Sequence, residues 1–88
     1  MKTINFKNFE MFDDISKETK TIVDVRRELA DNIYRSTNGI VALDLALKIH
    51  KSNGPVELTD EEYGVLEAFA MTGTPRFIES FRANVKDK

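Results

Sequence analysis

"GIVALDLALKIHKSNG", residues 39–54, is the most apolar run of the chain, and its reading decides the fold. Ile40, Val41, Leu43, Leu45, Leu47 and Ile49 leave only a thin polar stripe of Asp44, Lys48 and Lys51. A helix that is apolar almost all round is one packed on several sides. Residues 40–52 are therefore expected to form the central helix. Asn53 and Gly54 end it, and Pro55, which lacks a backbone N–H, prevents its continuation.

On the C-terminal side, "PVEL" (residues 55–58) reads as a short strand. Thr59 and Glu62 follow at capping-box spacing, each able to satisfy an orphan N–H of a new helix. That helix should reach about Met71, despite Gly64, which costs it about 1 kcal/mol relative to Ala. Thr74 caps a last helix, with Pro75 at its first position, where no N–H is needed. Phe77, Ile78, Phe81 and Val85 give its apolar face, and residues 86–88 should fray.

On the N-terminal side, "TINF" (residues 3–6) alternates as a strand does. Residues 7–20 lack a clean period and are expected to form an irregular arm with room for another strand. From Thr21 the period turns helical, with Val25, Leu29 and Ile33 in one stripe and Ile22, Ala30 and Tyr34 beside it. Gly39 should take the left-handed conformation that ends this helix. The expected fold is α+β and mainly helical. About four helices surround the central one, and two short strands (about 3–6 and 55–58) pair across it. It is one domain over residues 1–88: strand and arm (1–20), helical core (21–85) and tail (86–88).

Eighty-eight residues suffice for one small core. The 41% hydrophobic and 32% charged content is that of a globular chain. Without cysteine there is no disulfide, thiol nucleophile or Cys-ligated zinc. The first residues lack the apolar core of a signal peptide, and no run approaches the roughly 18 residues of a membrane span. A cytoplasmic protein without membrane attachment is expected. The net charge of −2 is spread through both halves and gives no general pull toward polyanions.

Val56, Glu57, Leu58, Thr59, Glu62, Tyr63, Leu66 and Glu67 carry a resemblance to the winged-helix DNA-binding domains of bacterial response regulators. There the equivalent segment is a strand and a capped helix placed before the recognition helix, and the resemblance would imply DNA binding. The likeness covers about a dozen residues, and too few follow Val85 for the family's C-terminal wing. Strand, capping box and amphipathic helix also account for these letters without DNA. The two last helices and their Gly73 turn have the outline of a helix-turn-helix. However, bulky Phe69 stands where a small residue is wanted, and Glu79 and Arg82 stand where the packing seam should be apolar.

Other chemistry is sparse. His50 has no companions at ligand or triad spacing. Asp13 and Asp14, on an extended segment, would point to opposite faces. No catalytic, cofactor-binding or metal-binding residues are expected, and no cofactor. In general look the chain is similar to short phage and mobile-element proteins, a likeness that no motif carries.

The leading expectation is a small non-enzymatic protein-interaction or adaptor module, with a protein partner or self-association. The reason is that the apolar helix face exceeds what one small core covers. Phe9, Phe12, Tyr63, Phe77 and Phe81 are the candidate surface. The alternative is a small DNA-binding regulator of helix-turn-helix or winged-helix type. Its anion or nucleic-acid contacts would be Arg26, Arg27, Arg35, Thr74, Arg76 and Arg82.

Overall fold

A computed structural model describes residues 2–87. In chain order the elements are β1 (Lys2–Asn5), β2 (Phe9–Phe12), β3 (Lys20–Val23), α1 (Arg26–Ser36) and α2 (Ile40–Lys51). They continue with β4 (Pro55–Leu58), α3 (Asp60–Ala70), α4 (Pro75–Asn84) and β5 (Lys86–Asp87). The class is α+β, with four helices and five short strands in two small sheets. Helix accounts for only about half of the chain, so "mainly helical" overstates it.

The two expected strands do pair. β1 runs antiparallel to β4, with Lys2 opposite Leu58 and Ile4 opposite Val56, which ties the N-terminus to the middle of the chain. The expected frayed tail is corrected at Lys86 and Asp87, which pair with β1 on its other edge. A Lys2–Asp87 ion pair of 2.9 Å reinforces that contact. Lys88 lies outside the described residues.

The arm and the start of the helical core also need correction. Residues 21–23 are not helical: Thr21, Ile22 and Val23 are three β-branched residues in a row, and they pair with β2 as a hairpin. The helix begins at Arg26, once the Asp24 carboxylate has accepted the Arg26 N–H at 3.1 Å. Leu29, Ala30 and Ile33 then form the buried stripe of α1, while Ile22 and Tyr34 are exposed.

Helix starts and stops follow the local chemistry. Thr59 Oγ1 accepts from Glu62 N (3.2 Å), and Glu62 Oε1 accepts from Thr59 N (2.9 Å), closing the capping box of α3. Lys48 of α2 reaches the same Glu62 oxygen at 3.0 Å, so one carboxylate joins two helices. Burial opposes ionisation of Glu62, but the Thr59 N–H and the Lys48 ammonium outweigh it and hold the carboxyl below its usual range. Thr74 and Pro75 start α4 as expected. Gly39, with φ 98° and ψ 165°, is instead the residue that starts α2, since α1 has already ended at Thr37.

The core gathers Ile4, Phe6, Phe9, Leu29, Ile33, Leu45, Ile49, Leu58, Leu66 and Phe81, all essentially without solvent contact. The central helix is only half enclosed. α2 packs on α1 and α3 through Ala42, Leu45, Ala46 and Ile49, and leaves Ile40, Leu43 and Leu47 open.

Candidate interaction surface

The open side of α2 is the largest departure from the expected burial. Ile40, Leu43 and Leu47 stand at i, i+3 and i+7, so they form one stripe along the helix. Ile40 is 69% exposed and Leu47 46%. Tyr34 of α1, 69% exposed, extends the stripe, and a shallow depression joins Tyr34, Gly39, Ala42 and Leu43. The inward face takes Ala42, Leu45, Ala46 and Ile49, and the remaining large aliphatic side chains, Ile40, Leu43 and Leu47, fall on the open side. The signal was present in the sequence as more apolar positions on one helix than a small domain can cover.

The aromatic surface expected from the sequence is mostly interior. Phe9 and Phe81 are fully buried, so neither can form an exposed surface. Tyr63, Phe81, Phe77 and Phe9 make a continuous ring stack with centroid spacings of 6.0, 6.5 and 6.0 Å. Tyr63 keeps its hydroxyl at the rim, on Glu67 at 3.1 Å; burial and that carboxylate raise its pKa. Phe12 is half-buried beneath the ammonium of Lys17. Four of the five residues are thus brought together, but as the filling between β2, α3 and α4, while Phe12 stays outside that stack.

The cations do not converge. Arg26 is held by both oxygens of Asp24 and by the Ser52 carbonyl at 2.6 Å. The same hydrogen bonds, from the Arg26 side chain and then its N–H, pull the Asp24 carboxyl down to about 2. Arg35 lies on Asn32, and Arg82 points at the sulfur of Met71. Arg76 donates to the Phe12 carbonyl and lies 4.0 Å from Asp13. Thr74 is occupied in capping α4. Arg27 alone of the six makes no side-chain hydrogen bond or ion pair among the described residues; it shares a shallow polar hollow with Asp24, Arg26 and His50. Glu79, awkward for a helix-turn-helix seam, pairs with Lys17 of the β2–β3 loop.

Two side chains on one face of α4 were missed, Ser80 and Asn84. With Arg76 they follow one another at i, i+4 and i+8 and lie along the outer edge of β2. Ser80 Oγ accepts from Phe12 N at 3.0 Å. Asn84 Oδ1 accepts from Glu10 N at 3.0 Å, and its Nδ2 donates to Glu10 O at 2.8 Å. A helix thus does for this strand edge what another strand would do. Ser80 and Asn84 fall in the apolar register of Phe77 and Phe81, and a polar residue at such a position implies a buried partner.

A groove of about 530 Å³ runs between the hairpin, α1 and the α3–α4 turn, lined by Val23, Val25, Leu29, Phe69 and Phe77 among others. No group of three or more His, Asp or Glu side chains suited to a metal ion occurs among the described residues. None of their helices is long and apolar enough to cross a membrane. No family model, curated protein or solved structure matches the chain.

Proposed function

We propose that this chain is a small non-enzymatic interaction module whose partner surface is the open side of α2. The observation that carries the reading is the Ile40–Leu43–Leu47 stripe with Tyr34 beside it. Leaving large aliphatic side chains in water forgoes about 25 cal/mol for each Å² they could bury. A contiguous row of them, rimmed by Asp44 and Lys48, is the arrangement that a protein partner covers. The reading moves the surface from the aromatics, which the core uses, to the aliphatic residues that it does not.

The test is site-specific photocrosslinking in the cell of origin. A photoreactive residue at position 40 or 47 should give a discrete adduct, and one at Glu61, exposed on α3, should not. Adding Leu43→Asp should abolish the adduct while leaving the far-ultraviolet circular dichroism unchanged. Equal labelling from positions 40 and 61, or an adduct indifferent to Leu43→Asp, would refute the reading.

A further inference from the structure

The hairpin has two outer edges, and they are treated differently. That of β2 is covered by Ser80 and Asn84. That of β3 is not: all four of its residues are exposed, and β2 is its sole strand neighbour among the described residues. Asp13 N donates to Thr19 O at 3.1 Å, which fixes the phase of the antiparallel ladder. In that phase Phe9 and Met11 exchange hydrogen bonds with Val23 and Thr21, while Glu10 and Phe12 turn toward α4. Along β3, the main-chain groups of Lys20, Ile22 and Asp24 therefore point away from the molecule. The strand has neither Pro nor Gly to blunt it, and Ile22 at its middle is 56% exposed.

We infer that β3 pairs with β3 of a second copy of this chain, antiparallel and centred on Ile22. An isologous pairing must set an outward-facing residue against another outward-facing residue, which leaves few registers. Centred on Lys20 or on Asp24, the strands would put each charge against itself. Centred on Thr21, Glu18 would face Asp24 of the other copy; centred on Val23, the apolar Ile22 would face the charged Asp24. Among the centres from Lys20 to Asp24, the Ile22 centre alone sets opposite charges directly together, Lys20 against Asp24 twice, with the two isoleucines in contact. Within one chain Lys20 also reaches Glu10 at 3.2 Å and Asp24 holds Arg26 at 2.7 Å, so these exposed charges would be shared across the seam. The product is a four-stranded antiparallel sheet, β2-β3-β3-β2, which removes both open edges. This pairing does not use the α2 stripe, so the two surfaces succeed or fail separately.

The absence of native cysteine makes the register directly testable. Directly opposed residues of a hydrogen-bonded pair lie about 5.5 Å apart at Cα, within disulfide range. Single Ile22→Cys should therefore give a covalent dimer under mild oxidation at least about tenfold faster than Lys20→Cys, whose two copies are displaced along the strand. Light scattering should find a dimer for the unmodified chain, and a monomer with unchanged circular dichroism for Ile22→Lys, which opposes two ammonium groups. Leu47→Asp on α2 should leave the dimer intact. A chain that stays monomeric to about 1 mM would overturn the inference. So would equal cross-linking at positions 20 and 22, or a dimer that survives Ile22→Lys and is lost with Leu47→Asp.

Discussion

Asn84 binds both main-chain groups of Glu10, accepting from its N–H at 3.0 Å and donating to its carbonyl at 2.8 Å. The two residues are 74 positions apart, so this one amide fastens the last helix to the N-terminal hairpin. Its second amide hydrogen reaches the Ser80 carbonyl at 2.7 Å, which fixes the orientation of the group. Truncation by Asn84→Ala leaves a partly buried N–H and C=O without their partner, at about 1–3 kcal/mol for an unsatisfied group. A loss of about 2–3 kcal/mol in urea unfolding is expected, together with faster hydrogen exchange at the Glu10 amide. Asn84→Asp keeps the acceptor but turns a carboxylate on two carbonyls. It should be worse at pH 7 than at a pH low enough to protonate that group. A variant that unfolds like the parent chain would mean that water replaces the amide without cost.

Two glycines should respond to alanine with opposite signs. Gly39 has φ 98° and ψ 165°, a region that is essentially closed to residues with a Cβ. Gly39→Ala should cost about 1–3 kcal/mol, although no neighbouring atom lies near the new methyl group. Gly64 sits inside α3, and a Cβ there also meets nothing. Gly64→Ala should raise stability by about 0.5–1 kcal/mol through helix propensity and a less flexible unfolded chain. Paired denaturation curves decide the matter. A shared sign would contradict either the positive φ of Gly39 or the helical conformation of Gly64.

Those contrasts show which parts of the fold were open to sequence reasoning. The capping box of Thr59 and Glu62 and the Thr74–Pro75 start are interactions within four residues, so the letters carry them whole. The pairing of β1 with β4 was readable because each strand alternates and each is isolated by turn residues. The β2–β3 hairpin was harder. Its second strand contributes Ile22 to a plausible helical stripe that continues at Val25, just past its end, and the outer edge of its first strand is covered by side chains 68 and 74 positions away. The surface was hardest of all. Periodicity finds an apolar face but does not say which face is covered, and in this chain Phe9 and Phe81 went in while Ile40 and Leu47 stayed out.

Acid should weaken the molecule partly through Asp24. Its carboxyl falls from an ordinary 3.8 to about 2 in the folded chain, because the Arg26 side chain and N–H bind the ionised form. A folded-state value below the unfolded one means that the contribution is complete above about pH 4. It then fades as pH falls toward 2. Asp13 and Asp87 are lowered as well, by the Thr21 hydroxyl and the Lys2 ammonium respectively, and act in the same direction. Asp24→Asn should therefore melt below the parent chain at pH 7, with the gap narrowing between pH 4 and pH 2. Thermal melts across that interval test it, and parallel profiles would detach Asp24 from the acid response.

Thr3 offers a stabilising substitution inside the small sheet. It lies in the central strand between Glu57 of β4 and Lys86 of β5. Its hydroxyl is buried and has no hydrogen-bond partner among the described residues. Burying a hydroxyl without a partner costs about 1–3 kcal/mol by mutational measures. Valine has nearly the same shape, keeps the β-branched preference for a strand and brings no polar atom to desolvate. Thr3→Val should raise stability by about 1 kcal/mol, and Thr3→Ser should lower it, because serine keeps the hydroxyl and loses the methyl group. The pair separates the two contributions at one site. If Thr3→Val instead destabilised the chain, the hydroxyl would have to be bound in solution, and β1 would not lie as tightly between β4 and β5 as its burial implies.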